Sequence, residues 1–308
     1  MFTILLGIAG LALLYYGAEF LVKGGSALAL KMKIPPLVIG LTLVAYATSA
    51  PELVVSIDAA VKGFGDVSIG NIAGSNICNI ALIIGLCALI TPLRVNEKLL
   101  KFDIYVMIIA ALALLGCHYL SRGVTRWQAV ILLLGSIAYT VWCIRSAKNE
   151  NSADLMPQKS CNFWAALLFV AGGLAALIGG AKLFVNGAIL LAQWCGVSDA
   201  VIGLTVVAVG TSLPELATSV VAAIRKEQDI AIGNVVGSNI FNILCILGVA
   251  PLAKPLQAAG ISNVDMLLMA ALSILLYPLM KTGMKISRKE GALLLAIYIA
   301  YTAYLIVR

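Results

Sequence analysis

Residues Ile39–Ser56 read IGLTLVAYATSAPELVVS, and residues Ile202–Ser219 read IGLTVVAVGTSLPELATS. The offset is 163 positions, and without a gap it also lays GNIAGSNICNI (Gly70–Ile80) on GNVVGSNIFNI (Gly233–Ile243). Across 39–85 and 202–248, 26 of 47 positions are identical. Upstream, Gly17, Ala18, Val22 and Gly24 align with Gly180, Ala181, Val185 and Gly187. The matches fall on Thr, Ser, Pro, Glu, Gly and Asn rather than on interchangeable aliphatic residues. They report an internal repeat, not shared hydrophobicity.

The chain around the repeat is apolar. Of 308 residues, 62% are hydrophobic and 11% charged, against roughly 25% charged in a soluble domain. That composition excludes a soluble enzyme, a disordered chain and a nucleic-acid binder. The net charge of +7 is scattered in short groups between apolar runs. A bilayer core of roughly 30 Å needs about 20 apolar residues per helix. Ten runs qualify: 2–23, 35–61, 67–91, 102–120, 126–145, 162–190, 198–224, 230–252, 263–281 and 288–307. The fold class expected is an all-α polytopic membrane protein of ten transmembrane helices. The first run lacks a small-residue cleavage site and reads as a retained span rather than a signal peptide.

Five spans per repeat is an odd number, so the second copy enters the membrane from the opposite side. The expectation is two inverted five-helix repeats, 1–145 and 162–308, joined by a short linker at 146–161. With the N-terminus outside, 15 of the 21 Lys and Arg fall inside and 6 outside. Both termini are therefore expected outside and the linker in the cytoplasm. Cys78, Cys87, Cys117, Cys143, Cys161, Cys195 and Cys245 show no metal-ligand spacing and read as small buried residues. His118 reads as a satisfied bundle histidine.

Four carboxylates fall well inside the expected spans: Glu19, Glu52, Asp58 and Glu215. Only Glu52 and Glu215 are repeat mates, each near mid-depth. A carboxylate there costs about 2.5–3.5 kcal/mol on insertion scales, and no Lys or Arg lies at that depth in the repeated spans. The missing partner is most simply a cation; the alternative is a pair of protonated, hydrogen-bonded glutamic acids that stabilise the bundle. Pro51 and Pro214 each remove a backbone donor and free a carbonyl upstream, so Ala45, Ala47, Ala208 and Gly210 are candidates to turn oxygens toward it. Thr48, Glu52 and Ser56 form an i, i+4, i+8 stripe, as do Asn71, Ser75 and Asn79. Thr211, Glu215 and Ser219, and Asn234, Ser238 and Asn242, repeat both. Ser49 and Ser212 lie beside the stripes, and Asn76 and Asn239 read as helix-packing residues. Carboxylate, hydroxyl, amide and carbonyl oxygens suit Ca2+ and Na+ rather than Zn2+ or Cu+. Asp66 and Asp229 open spans and read as carboxylates at helix N-termini.

At these residues the chain resembles the cation/Ca2+ exchanger superfamily, of the prokaryotic Na+/Ca2+ exchanger type. ATSAPELVVS with GNIAGSNICNI, and GTSLPELATS with GNVVGSNIFNI, are similar to that family's two alpha-repeats. The resemblance implies ten helices and alternating access, with the first and sixth helices sliding against the others. It implies ion ligands at Thr48, Ser49, Glu52, Ser75 and Asn79, and at Thr211, Ser212, Glu215, Ser238 and Asn242, with carbonyls at Ala45 and Ala208. Asn242 stands where potassium-dependent relatives carry an acid, which argues against K+ dependence. The function implied is secondary antiport of Ca2+ against Na+, by a protein that is no enzyme, carries no cofactor, works as a monomer and lies in a prokaryotic inner membrane. The alternatives are a Ca2+/H+ antiporter of the same fold and a cation channel. An intramembrane aspartyl protease, suggested by GFGD at 63–66, lacks a convincing second Asp.

Overall fold

A computed structural model describes residues 2–148, 162–194, 208–258 and 260–307. Most of the expected linker (149–161, with Lys159 and Cys161), residues 195–207 (Cys195 and the start of the expected seventh span) and Arg308 lie outside the described residues. In chain order the helices are α1 (Phe2–Met32), α2 (Pro36–Thr48), α3 (Ala50–Lys62), α4 (Gly65–Ile90), α5 (Leu99–Ser121), α6 (Arg126–Lys148) and α7 (Phe163–Trp194). A short turn at Ala208–Gly210 then leads to α8 (Leu213–Ile224), α9 (Gln228–Ala253), α10 (Asn263–Lys281) and α11 (Arg288–Val307). Eight of these are long and apolar enough to cross a membrane, with mean hydropathy of 1.7 to 2.1. Helices α2 and α3 make a bent pair, turning by 47°, and α8 is a shorter apolar helix. The chain is a mostly helical, polytopic integral membrane protein.

Two expected boundaries change. Helix α1 continues past residue 23 to Met32. Lys23 does not end it, because its ammonium sits 4.6 Å from the centre of the Phe169 ring on α7; a long cationic side chain can lie along apolar surface while its head finds a partner. The stop comes at Lys33, whose φ is 55°, just before Pro35 and Pro36. The span expected at 35–61 is broken at Ser49, with φ −83° and ψ 8°.

Helices α4 and α9 are the most buried and form the centre. Helices α1 and α7 lie together through glycines. A Cβ on Gly10 would come within 2.6 Å of Phe184 N, on Gly17 within 2.8 Å of Leu177 N, and on Gly24 within 2.8 Å of Ala166 O. Gly173 and Gly180 meet α1 just as closely. The glycines recur every seven residues, the spacing that keeps one seam facing a partner helix, and small residues let backbones touch where lipid supplies no hydrophobic drive.

Two small ribbons tie the loops. β1 (Leu93–Arg94) pairs with β4 (Lys285–Ile286), and β2 (Gly123–Val124) with β3 (Leu256–Gln257), all antiparallel. The β1·β4 end also carries Lys98, Lys281, Arg288 and Lys289. Near it, Arg225 donates to Glu19 Oε1 at 2.6 Å, and a cavity of about 360 Å3 is lined by Glu19, Val22, Lys23, Ser26, Arg225 and Glu227. Burial, with Asp229 nearby, pushes the Glu227 carboxyl up from its ordinary range. Glu19 is thus ion-paired at the rim rather than deep in the span. Asp58 is likewise exposed and paired with Lys62 at 2.7 Å. Asp66 accepts from Gly260 N at 2.9 Å, and Asp66 and Asp229 lie in the first turns of α4 and α9, as expected of N-terminal carboxylates. His118 is buried, with Nε2 at 2.8 Å from Asn263 Oδ1. Cys78, Cys87, Cys117, Cys143 and Cys245 are free thiols.

Replacing Gly17 by Leu should force α1 off α7 and destabilise the protein by about 1–3 kcal/mol, the usual cost of overpacking. Gly7→Leu, with no atom within 4 Å of the added Cβ, should be neutral. Thermal unfolding in detergent compares them.

Candidate functional site

Ser49 and Ser212 hold nearly the same backbone conformation, φ −83° and ψ 8° against φ −85° and ψ 4°. Each is the N-cap of a helix with proline in its first turn and glutamate three residues on. Ser-x-x-Glu is the spacing of a capping box, in which serine accepts from the helix's own N–H groups. Neither serine makes that bond. Ser49 Oγ donates instead to Glu215 Oε1 at 2.7 Å, and Ser212 Oγ to Glu52 Oε1 at 3.3 Å. Each glutamate is held by the serine of the other half. Both carboxylates stand at the positive ends of α3 and α8, where the peptide dipoles favour negative charge.

The next layer is wired the same way in both halves. Asn71 Nδ2 donates to Glu52 O (3.4 Å) and Ser56 Oγ (3.1 Å); Asn234 Nδ2 donates to Glu215 O (3.4 Å) and Ser219 Oγ (2.9 Å). Their amide oxygens accept from the opposite repeat: Thr211 Oγ1 to Asn71 at 3.4 Å, and Thr48 Oγ1 to Asn234 at 3.1 Å. Ser212 Oγ, with its proton on Glu52, accepts from Ser75 Oγ at 3.2 Å. Ser56, Asn71, Ser219 and Asn234 therefore hold the glutamate helices to α4 and α9. That cross-wiring is invisible in one-dimensional stripes.

Among the sequence-derived candidates, Thr48, Ser49, Glu52, Ser75, Asn79, Ser212, Glu215, Ser238, Asn242 and Ala45 are buried, and Thr211 is half-buried. Ala208 opens the short turn at Ala208–Gly210. Ala45 O accepts from Ser49 N at 3.0 Å, and Thr48 Oγ1 lies 3.3 Å from it. Asn79 and Asn242 lie in π-helical segments, Cys78–Ile84 and Asn242–Ile246, where wider turns break the strict four-residue stripe. The polar atoms without a partner among the described residues include Glu52 Oε2, Glu215 Oε2, both amide atoms of Asn79, Ser238 Oγ and Asn242 Oδ1. Neither glutamate makes an ion pair among the described residues.

One repeated contact escaped the sequence reading. Tyr139 Oη donates to Asp103 Oδ1 at 2.9 Å, and Tyr301 Oη to Asp265 Oδ1 at 3.1 Å, tying α5 to α6 and α10 to α11. The two pairs are related by 162 positions, not 163, so a gapless alignment misses them; one allowed gap after the motifs would have found them.

The sodium/calcium exchanger protein family model matches residues 2–145 and 165–307. The sodium/calcium exchanger MaX1 of Methanosarcina acetivorans is 36% identical, over 96% of this chain and 96% of its own. The inner membrane protein YrbG of Escherichia coli is 34% identical, over 80% of this chain and 79% of its own. A solved structure of the sodium-calcium exchanger NCX_Mj, soaked with zero Na+ and Ca2+, superposes with a TM-score of 0.86 at 37% identity, covering 98% of each chain.

Two buried carboxylates without a counter-charge oppose folding, and removing both charges relieves the penalty. At pH 8 in chelator, the double variant Glu52→Gln/Glu215→Gln should unfold at a higher temperature than the unaltered protein, as differential scanning fluorimetry can read.

Proposed function

The chain belongs to the sodium/calcium exchanger family, and from that premise we propose that it is a secondary antiporter exchanging Ca2+ for Na+ at one site between its two halves. The observation that carries the reading is the pair Glu52 and Glu215, both fully buried and each with one carboxylate oxygen lacking a partner among the described residues. Their −2 charge matches one Ca2+. The ligands proposed are Glu52, Thr48, Ser49, Ser75 and Asn79 with Glu215, Thr211, Ser212, Ser238 and Asn242, and the carbonyls of Ala45 and Ala208. Hydroxyl and amide oxygens complete a hard, many-toothed cage that a large, flexible coordination sphere accepts. Na+ fits the same oxygens, and ions that compete for one charge-limited cage exchange rather than flow together.

The proposed architecture is ten spans in two inverted halves, 1–145 and 162–308, joined at 146–161. The ribbons support it. The strand β1 and its repeat mate β3 are 163 residues apart, yet they pair with different partners in separate ribbons, as inversion requires. The matched dihedrals at Ser49 and Ser212 and the matched bonds of Asn71 and Asn234 point the same way. The basic residues near β1·β4 support placing that end in the cytoplasm and both termini outside. The similarity to the inner membrane protein YrbG favours an inner membrane. Thr211 and Asn71 are half-buried while their mates Thr48 and Asn234 are fully buried; this supports access to the site from the Asn71 side, away from β1·β4. One chain supplies every proposed ligand, which favours a functional monomer.

A Ca2+/H+ antiporter is the second reading, because buried glutamates without a cation can carry protons. Radioactive Ca2+ uptake into proteoliposomes separates the two. An imposed Na+ gradient should drive uptake and a pH gradient alone should not. Uptake driven only by the pH gradient overturns Na+ coupling. Glu52→Gln and Glu215→Gln should each abolish uptake, and transport surviving in either removes the site.

A further inference from the structure

We propose that Asn76 is a positioning residue that turns the amide oxygen of Asn242 toward the cation site, an inference that rests on the site reading above. Asn76, Asn239 and Asn242 are all buried, where α4 crosses α9. Asn76 Nδ2 donates to the backbone carbonyl of Asn239 at 3.3 Å, and Asn242 Nδ2 donates to Asn76 Oδ1 at 3.0 Å. A carbonyl can only accept, so the first contact demands the NH2 group of Asn76. The oxygen of Asn76 must then face Asn242 and needs a donor there. Asn242 is left with its own oxygen at the far end of the relay, buried and with no partner among the described residues.

The repeat-equivalent positions are wired differently. Asn239 Nδ2 donates to Val235 O of its own helix at 3.0 Å, and neither amide atom of Asn79 has a partner among the described residues. One amide of the pair is therefore held ready and the other is free to adjust. The relay also accounts for an amide at 242: a carboxylate would set oxygen against Asn76 Oδ1 unless Asn76 turned and gave up its bond to Asn239.

The test is equilibrium binding of radioactive Ca2+ to the purified full-length protein in Na+-free detergent solution. Partners that orient metal ligands are worth about 10–100-fold in affinity when removed. Asn76→Leu should weaken binding about tenfold, and Asn239→Leu less than threefold. In an Asn242→Leu background, Asn76→Leu should add no further loss. Asn76→Gln, a neutral amide that keeps both the donor for Asn239 O and the acceptor for Asn242, should bind more tightly than Asn76→Leu, and it answers the question if the leucine variant does not fold. Equal losses at Asn76 and Asn239, additive losses with Asn242, or no recovery with Gln would each overturn the inference. Failure of the unaltered protein to bind Ca2+ would instead overturn the site itself.

Discussion

Two carboxylates are fully buried with no Lys or Arg pairing with them among the described residues, and each is held by a serine from the opposite half of the chain. Everything near the centre serves that arrangement. Proline ends the preceding helix so that a new helix begins at the glutamate with its positive end toward it. Serine gives up its usual capping role to reach across. Asn71 and Asn234 clamp the glutamate helices to α4 and α9 and accept from the other repeat's threonine. Because every cross-contact joins residues far apart in sequence, neither half can complete the site alone.

The same physics separates the outer pair α1 and α7 from that centre. Their seam is built from glycine backbones in close approach, with dispersion as its main attraction. The centre is held by buried hydrogen bonds, whose loss leaves unsatisfied polar atoms in an apolar medium. A tight helix pair with a greasy exterior beside a polar, cross-linked core divides the molecule into two bodies of different character.

Much of this was legible beforehand because lipid makes polar residues conspicuous. Thr48, Glu52, Ser75 and Asn79 stood out against an apolar background, and the 163-residue offset assigned their mates. Less was legible where tertiary geometry decides. Lys23 looked like a helix end and is accommodated along Phe169. Glu19 and Asp58 counted as intramembrane acids and are paired near the surface. The box-like Ser-x-x-Glu spacing suggests a local cap, and only three dimensions show the hydroxyl turning away. The π-turns at Asn79 and Asn242 shift a stripe that ideal helical periodicity predicts to be straight. A one-residue slip between repeats hid the Asp103–Tyr139 and Asp265–Tyr301 pairs.

The departures from symmetry carry their own meaning. A strictly two-fold molecule would hold its two ends at equal energy. Here Glu19 meets Arg225, while their repeat mates are Lys182 and Lys62, two cations that cannot pair with each other, and Lys62 turns to Asp58 instead. Tyr46 stacks on Phe241 with ring centres 4.3 Å apart and bonds Thr140, whereas the mates of Tyr46 and Phe241 are Val209 and Cys78. The repeat is close to exact in the polar residues around the glutamates and diverges in the charges and bulky groups outside them. Both halves thus contribute the same residue types at the centre, while the energies of the two ends are set separately, and a carrier that faces two different solutions needs both.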